Sequence, residues 1–167
     1  ENTISVDVAD IDGDQDLDVV FANVGGYGPG RLNRLWRNDG VGGFTEVSEE
    51  LPQESENTCL VRFFDVEGDG DQDLYLGNSD VGDLLYLNNG TGAFARAPKS
   101  VWPVRYMGAT GAFPGDLNGD GAVDLLMTGT YRPQILLNMG RGELAHINEP
   151  PIPGELVVAM TSGDLNG

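Results

Sequence analysis

The chain has 167 residues and a formal net charge of −18, from 27 acidic and 9 basic residues. This balance argues against nucleic acid as a partner, because a protein that binds phosphates needs a positive surface. The single cysteine, Cys59, excludes an intramolecular disulfide, and no stretch reaches the roughly 20 apolar residues of a membrane span.

Short strands rich in Val, Leu, Phe and Tyr follow one another in three similar units. In the first unit the predicted strands are Ile4–Val8, Leu17–Asn23, Asn33–Arg37 and Gly43–Val47. In the second unit they are Thr58–Phe64, Leu74–Asn78, Leu84–Leu87 and Ala93–Arg96. In the third unit they are Met107–Phe113, Val123–Thr128, Gln134–Leu137 and Glu143–Ile147, and Leu156–Thr161 begins a fourth unit.

A fixed spacing confirms that these units repeat. Asn38, Asn88 and Asn138 recur at intervals of 50 residues, each at the start of a glycine-containing turn. Four antiparallel strands in about 50 residues are typical of a β-propeller blade, and a solenoid of hairpins is the alternative. The predicted fold is therefore all-β, with blades at 1–48, 49–97 and 98–148 and the start of a fourth at 149–167. Since propellers close with roughly four to eight blades, we expect an arc of a larger propeller, cut from a longer protein, or an arc that closes by pairing with another copy. An isolated open arc exposes two apolar edges, so we expect it to self-associate through them.

An acidic loop of nine residues joins the first two strands of each unit. The copies are DIDGDQDLD from Asp10, DVEGDGDQD from Asp65 and DLNGDGAVD from Asp116, and they hold 13 of the 27 acids. Oxygen ligands at positions 1, 3, 5 and 9, with a main-chain carbonyl at position 7, suit a hard cation such as calcium. We expect about three calcium ions, one for each loop, since crowded carboxylates repel one another without a cation. The predicted ligands are Asp10, Asp12, Asp14, Asp16 and Asp18, then Asp65, Glu67, Asp69, Asp71 and Asp73, then Asp116, Asn118, Asp120, Ala122 and Asp124, with Asp16, Asp71 and Ala122 contributing carbonyls.

Two other interpretations of these loops are weaker. An EF-hand needs an acidic ligand at position 12 and a helix after it, whereas Phe21, Leu76 and Met127 stand there in strand-forming runs. A solvated acidic patch does not explain one spacing found three times with glycines in register. Position 6 is Gly70 and Gly121 in two copies but Gln15 in the first, where a positive φ would cost about 1 kcal/mol.

The blocks ADIDGDQDLDVVFAN, FFDVEGDGDQDLYLGN and GDLNGDGAVDLLMTG resemble FG-GAP/VCBS repeats, the calcium-binding blades of integrin α-subunit propellers and of secreted relatives. The stretch NRLWRNDGVGGFTEVSEE is similar to the cartilage acidic protein and UnbV group. The resemblance implies a seven-bladed propeller in the full protein, with calcium between the first two strands of each blade. It also implies an extracellular, secreted or cell-surface location.

The predicted meander places the acidic loops and glycine turns on one rim of the propeller. The remaining loops fall on the opposite rim and carry aromatic and basic residues, which are typical of recognition surfaces. Filling gaps between blades is the alternative role for the aromatic ones. The candidate ligand residues are Tyr27, Arg31, Trp102, Arg105, Tyr106, Tyr131 and Arg132.

Function follows from what the motifs supply and what they lack. The lone histidine, His146, has no evident nucleophile beside it in the sequence, and no common catalytic motif occurs. We therefore expect a non-catalytic extracellular module in which structural calcium supports protein or glycan recognition and adhesion. A carboxylate-based glycosidase or polysaccharide lyase is the enzymatic alternative, with Glu54, Glu56, Glu149 and Glu155 as available acids. A third possibility is a chain whose main property is self-association through open blade edges.

Overall fold

The computed structural model describes residues 2–25, 30–102, 108–129, 133–140 and 142–147. Within these residues the chain forms twelve strands and a single turn of 3-10 helix. The strands are β1 (Asn2–Ala9), β2 (Asp18–Val24), β3 (Arg34–Asn38), β4 (Phe44–Glu46), β5 (Thr58–Phe64), β6 (Asp73–Asn78), β7 (Leu84–Asn88), β8 (Phe94–Arg96), β9 (Ala109–Gly115), β10 (Asp124–Gly129), β11 (Gln134–Asn138) and β12 (Leu144–His146). The predicted fourth-unit strand Leu156–Thr161 lies outside the described residues.

The strands form three antiparallel sheets of four, each in simple chain order. We call β1–β4 blade 1, β5–β8 blade 2 and β9–β12 blade 3. The first two strands of each blade pair over most of their length, as in Val6 opposite Phe21 and Val61 opposite Leu76. The outermost strand of each blade has only three residues. The predicted propeller blades are therefore confirmed, with strand ends shifted by a few residues.

The second strand of blades 2 and 3 is buried along its whole length. All six residues of β6 and all six of β10 are buried. A strand is buried on both faces only when other layers cover both sides of its sheet. The continuous apolar runs of the sequence thus reflect stacking of one blade on the next.

Neighbouring blades contact each other through their first strands. Strand β5 packs against β1 and β2, and β9 packs against β5 and β6. The contact between β1 and β5 includes a hydrogen bond of 2.8 Å from the Phe63 N–H to the Asp7 carboxylate. First strands that lie side by side at the centre of a radial stack are the arrangement of a propeller. We call the face of a blade that meets the preceding blade its leading face and the other its trailing face.

The core consists of two apolar layers between blades. The layer between blades 1 and 2 includes Ala22 and Leu35 of blade 1 and Tyr86 of blade 2. Between blades 2 and 3 the layer includes Phe64, Tyr75 and Met127. The core is thus a sum of interfaces, as expected for a repeat protein.

The segment after β4 closes the edge of the first layer. A 3-10 turn at Ser48–Glu50 brings Leu51 into the core, where 4% of its surface is exposed. No helix within the described ranges is long and apolar enough to cross a membrane.

Candidate metal loops and their rim

The first aspartate of each acidic loop organises the loop backbone. Its Oδ1 accepts a hydrogen bond from the glycine N–H at position 4, at 2.8 Å for Asp10 and 2.7 Å for Asp65 and Asp116. Its Oδ2 accepts another from the N–H at position 6. These bonds to backbone N–H groups lower the pKa of Asp116. Three loops with one internal pattern are one structural motif, repeated.

Tight winding requires a left-handed backbone at positions 4 and 6. Gly13, Gly68 and Gly119 have positive φ at position 4. Gln15 has a φ of 74° at position 6, which is the strained conformation expected from the sequence, and no other described non-glycine residue has positive φ. The first loop therefore keeps the shared geometry at a small local cost.

The last aspartate of each loop is buried and connects the loop to the third strand. Asp73 is 1% exposed, and its two carboxylate oxygens accept the N–H groups of Val66 and Asn88 at 2.9 Å each. Burial raises the pKa of Asp73 to about 7, partly offset by these bonds. Asp18 and Asp124 make the same pair of bonds in their own blades. This aspartate therefore has a structural role in addition to any role in metal binding.

The asparagine that ends the third strand joins adjacent blades. The Asn88 side-chain N–H donates to the carbonyl of Ile11, in the acidic loop of blade 1, at 2.8 Å. Asn138 makes the same bond to the carbonyl of Val66, in the loop of blade 2, at 2.7 Å. The acidic loops and glycine turns therefore lie on one rim, as predicted, and each loop is bonded to the blade that follows.

The first loop brings three carboxylates together. Oxygens of Asp10, Asp12 and Asp18 lie within 4.8 Å of one another, and no other such group occurs in the described part of the chain. Asp12 Oδ1 is buried and has no hydrogen-bond partner there, although an unsatisfied buried carboxylate oxygen is costly. Hard anionic oxygens in this arrangement are suited to a hard cation. In the first loop, then, the three carboxylates could hold a metal ion.

The other predicted ligands are placed differently. At position 5, Asp14, Asp69 and Asp120 each accept the N–H of the residue two positions later, at 2.9 to 3.1 Å. In the second loop, the pKa of Glu67 is raised mainly by burial, and further by the negative charges of Asp69, Asp65 and Asp71. In the third loop the Asn118 side chain donates to Asp120 at 2.8 Å. The three loops therefore share a backbone but differ in the contacts that their predicted ligand side chains make.

The carboxylates at position 7 lie beside the glycine turns. A Cβ on Gly40 would lie 2.1 Å from an Asp16 carboxylate oxygen, and one on Gly90 would lie 2.7 Å from an Asp71 oxygen. Where Ala122 replaces the acid, a Cβ on Gly140 would meet nothing within 4 Å. The turn glycines of the first two blades thus leave room for an acidic side chain.

An arginine, Arg37, lies beside the first loop. Its Nε is 3.0 Å from Asp12 Oδ2, and its Nη2 is 3.4 Å from Glu50. Nη2 also donates to the carbonyl of Thr91, in the glycine turn of blade 2, at 3.0 Å. Blades 2 and 3 have Leu87 and Leu137 at this position. Only blade 1 therefore has a cation in contact with its acidic loop within the described structure.

Of the candidate ligand residues, only Arg31 and Trp102 lie within the described residues. Arg31 is exposed and forms an isolated antiparallel bridge with Glu56. Trp102 is 7% exposed, packs edge-on against Tyr75 at 5.7 Å, and donates its indole N–H to the Asp83 carbonyl at 2.9 Å. For Trp102 this placement favours the packing alternative over recognition. Tyr27, Arg105, Tyr106, Tyr131 and Arg132 lie outside the described residues.

A buried polar cluster lies at the other end of blade 2. Glu56 is 5% exposed and accepts the Asn78 side-chain N–H at 2.7 Å. Burial and the nearby Glu54 raise the pKa of Glu56 to about 7. Tyr75 donates its hydroxyl proton to Asp83 at 2.6 Å, and burial raises the pKa of Asp83 to about 6. Glu54 itself pairs with Arg96 at 3.1 Å. Glu149 and Glu155 lie outside the described residues.

The acidic loops define the family. The model of the FG-GAP-like repeat matches residues 10–76 and again residues 65–127, each match beginning at the first aspartate of a loop. The chain belongs to the FG-GAP-like repeat family. Among curated proteins none matches the sequence.

The fold of this FG-GAP-like chain is similar to that of a lectin from Agrocybe aegerita. That structure concerns specific recognition of non-reducing terminal N-acetylglucosamine by the lectin. The TM-score is 0.54 at 21% sequence identity, over 84% of this chain and 36% of the lectin chain. The FG-GAP-like chain thus spans about a third of the lectin's length, and at this identity the likeness concerns the fold alone.

Sequence reasoning missed two kinds of functional residue. The interval of 50 residues marked Asn88 and Asn138, but the acceptor of Asn88 is 77 residues away in the chain. Arg37 occupies a position that is leucine in the other two repeats, and this difference was the sequence signal for its special contact. Aligning the repeats position by position would have revealed the substitution at Arg37, but not the acceptor of Asn88.

Proposed function

We propose that this chain is a non-catalytic β-propeller segment in which calcium bound by the acidic loops supports recognition of a glycan or protein outside the cell. The observation that supports calcium best is the buried, unpartnered Asp12 Oδ1 beside the carboxylates of Asp10 and Asp18. The unpartnered oxygen could coordinate a divalent ion there, and the charge of the ion would reduce the mutual repulsion of the carboxylates. Membership of the FG-GAP-like repeat family agrees with this proposal.

In this proposal calcium has a structural task. The first loop is bonded to blade 2 through the Ile11 carbonyl, and the second loop is bonded to blade 3 through the Val66 carbonyl. An ion that holds a loop in shape therefore also holds the interface to the next blade. Calcium would act on the stacking of blades as well as on the loop itself.

Calorimetric titration with calcium tests this role. Asp12→Asn should weaken binding at the first loop by at least about tenfold, because affinity follows ligand charge. Glu49→Gln is the matched control, since it removes one exposed acid outside the loops. If wild-type protein takes up no calcium and melts at the same temperature in EDTA, the calcium proposal is wrong.

Recognition is proposed for the rim opposite the acidic loops. Arg31 is exposed there beside a polar pocket of about 320 Å³ whose lining also includes Arg34, Glu46, Ser48 and Ser55. Paired charges and hydroxyls that face a pocket can hydrogen-bond sugar hydroxyls. The fold likeness to the lectin suggests glycans that end in N-acetylglucosamine as the first probes.

A glycan array with these probes tests recognition separately from calcium. Arg31→Ala should reduce binding of any glycan that the wild-type chain retains, whereas Glu49→Gln should leave it unchanged. Hydrolysis of the same glycans, measured in parallel, would instead support the glycosidase alternative. Undiminished binding by Arg31→Ala would exclude this pocket as the site.

A further inference from the structure

A single arginine connects the first acidic loop to blade 2. Arg37 Nε lies 3.0 Å from Asp12 Oδ2, and its Nη2 donates to the Thr91 carbonyl, in the glycine turn of blade 2, at 3.0 Å. Nη2 also lies 3.4 Å from Glu50, in the connection between the two blades. The guanidinium group therefore contacts the loop, the connection and the next blade at once. These contacts lie between the trailing face of blade 1 and the leading face of blade 2, both of which belong to the described chain.

The glycine turn of blade 2 leaves room for this arginine. A Cβ on Gly92 would lie 2.5 Å from Arg37 Nη2 and 3.2 Å from Ile11 Cδ1, so any other residue there would displace the guanidinium group. Gly142, the equivalent residue in blade 3, faces an acid, since its Cβ would lie 3.0 Å from Glu67 Cγ. The space beside this glycine therefore holds a basic side chain between blades 1 and 2 and an acidic one between blades 2 and 3.

The contact between Arg37 and Asp12 leaves hydrogen-bonding capacity unused on both sides. Arg37 Nε is buried and makes no hydrogen bond within the described residues, although it lies 3.0 Å from Asp12 Oδ2. The two groups thus meet as charges without hydrogen-bond alignment. Asp12 Oδ1 is also buried and unpartnered in this part of the chain. The arginine therefore offsets the charge of Asp12 without using its second oxygen, and its positive charge opposes a cation at that oxygen.

The repeats provide an internal comparison. The first and second loops each contain five acidic residues, and the third contains three. Leu87 and Leu137 stand where blade 1 has Arg37, and Leu87 packs against the apolar layer between blades 2 and 3. The first two loops therefore contain the same number of acids but differ by one adjacent positive charge. That charge reduces the attraction of a divalent cation to the first loop.

We propose that Arg37 is an internal counter-ion that weakens cation binding at the first loop and holds the cation-free loop against blade 2. This inference rests on the proposed function, because it concerns the same calcium site. A fixed positive charge close to a ligand oxygen repels a divalent ion, and it offsets the mutual repulsion of the carboxylates when no ion is bound. The first loop thus binds calcium more weakly than the second, and its shape depends less on the ion.

Calcium titration of a chain with one remaining loop tests the effect on affinity. Asp65→Ala and Asp116→Ala remove the first ligand of the other two loops, and circular dichroism checks that this background is folded. In it Arg37→Leu should tighten calcium binding roughly 3–10-fold at low salt, and less at high salt. Arg96→Leu is the matched control, because Arg96 pairs with Glu54 at the other end of blade 2 and its loss should leave the affinity unchanged.

Urea unfolding in EDTA tests the contact with blade 2 in the full chain, with all three loops intact. Arg37→Leu should lower the unfolding midpoint, because the bond to Thr91 and the charge beside Asp12 are both lost. Arg37→Lys keeps the charge but not the planar fork, so its midpoint in EDTA should also fall while its calcium affinity stays within about twofold of wild type. Arg96→Leu removes an exposed ion pair and should change the midpoint little.

The possible outcomes separate this inference from the proposed function. Calcium binding that is equal or weaker in Arg37→Leu overturns the inference but leaves the calcium proposal standing. If neither wild type nor Arg37→Leu takes up calcium, both are wrong. An unchanged midpoint of Arg37→Leu in EDTA overturns the role of Arg37 in holding the loop against blade 2.

Discussion

Removing the amide of Asn88 should destabilise the contact between blades 1 and 2. Asn88 is 6% exposed, its Nδ2 donates to the Ile11 carbonyl, and its Oδ1 accepts the Gly92 N–H at 3.1 Å. Asn88→Ala leaves both buried groups without a partner, and each such group costs about 1–3 kcal/mol. We expect a loss of about 3–5 kcal/mol in the free energy of unfolding, which is a large share of the roughly 5–15 kcal/mol of a typical domain.

Asn38→Ala is a control supplied by the repeat itself. Asn38 stands 50 residues earlier at the equivalent position, and its amide bonds to Leu17 and Gly40 at 3.3 and 3.2 Å are exposed. Water can replace such bonds, so we expect a loss of only about 1 kcal/mol.

Urea unfolding followed by tryptophan fluorescence measures both variants. The m-value should stay constant while the midpoint moves, since the change affects stability and not the area exposed on unfolding. Equal losses for Asn38→Ala and Asn88→Ala would refute the role of this asparagine in joining blades.

Three further predictions concern charge. Burial raises the pKa of Glu56 from 4.5 to about 7, so its contribution to stability is present below pH 4.5 and is lost as the pH rises through about 7. Above this range Glu56→Gln should therefore be more stable than wild type in urea unfolding, by on the order of 1–3 kcal/mol. A wild-type stability that does not change with pH would contradict this. Arg37→Leu introduces the residue found at positions 87 and 137. Because it removes a positive charge beside the first loop, it should tighten calcium binding there roughly 3–10-fold at low salt. Weaker binding in calorimetry would mean that Arg37 chiefly positions Asp12. The third loop has the fewest acids and should therefore bind calcium most weakly. Calcium titration of three variants, each without the first aspartate of one loop, should show that the third loop fills last. Tightest binding at the third loop would refute this ranking.

The local pattern of the sequence was sufficient for the strands and for the shape of the loops. Alternation of apolar residues, glycine turns and the interval of 50 residues predicted three four-stranded blades, and the structure contains them. The positive φ of Gln15 also followed from the sequence, because equivalent positions are glycine in the other two loops. Such features depend on residues that are close together in the chain. Because the unit is repeated, each feature occurs in the sequence more than once, which makes it easier to predict.

Contacts between distant residues were decided only by the tertiary structure. The sequence marked Trp102 as a candidate for recognition, but its indole is buried against Tyr75 once blade 3 packs on blade 2. Asn38 and Asn88 stand at equivalent positions in similar turns, yet only Asn88 has a loop of a preceding blade to bond within the described chain. The sequence by itself therefore determined the repeating unit, with its strands and its acidic loop. Which copy of a residue is buried, bonded or open depends on whether another blade stands beside it, and stacking of whole sheets is a property that no local pattern contains.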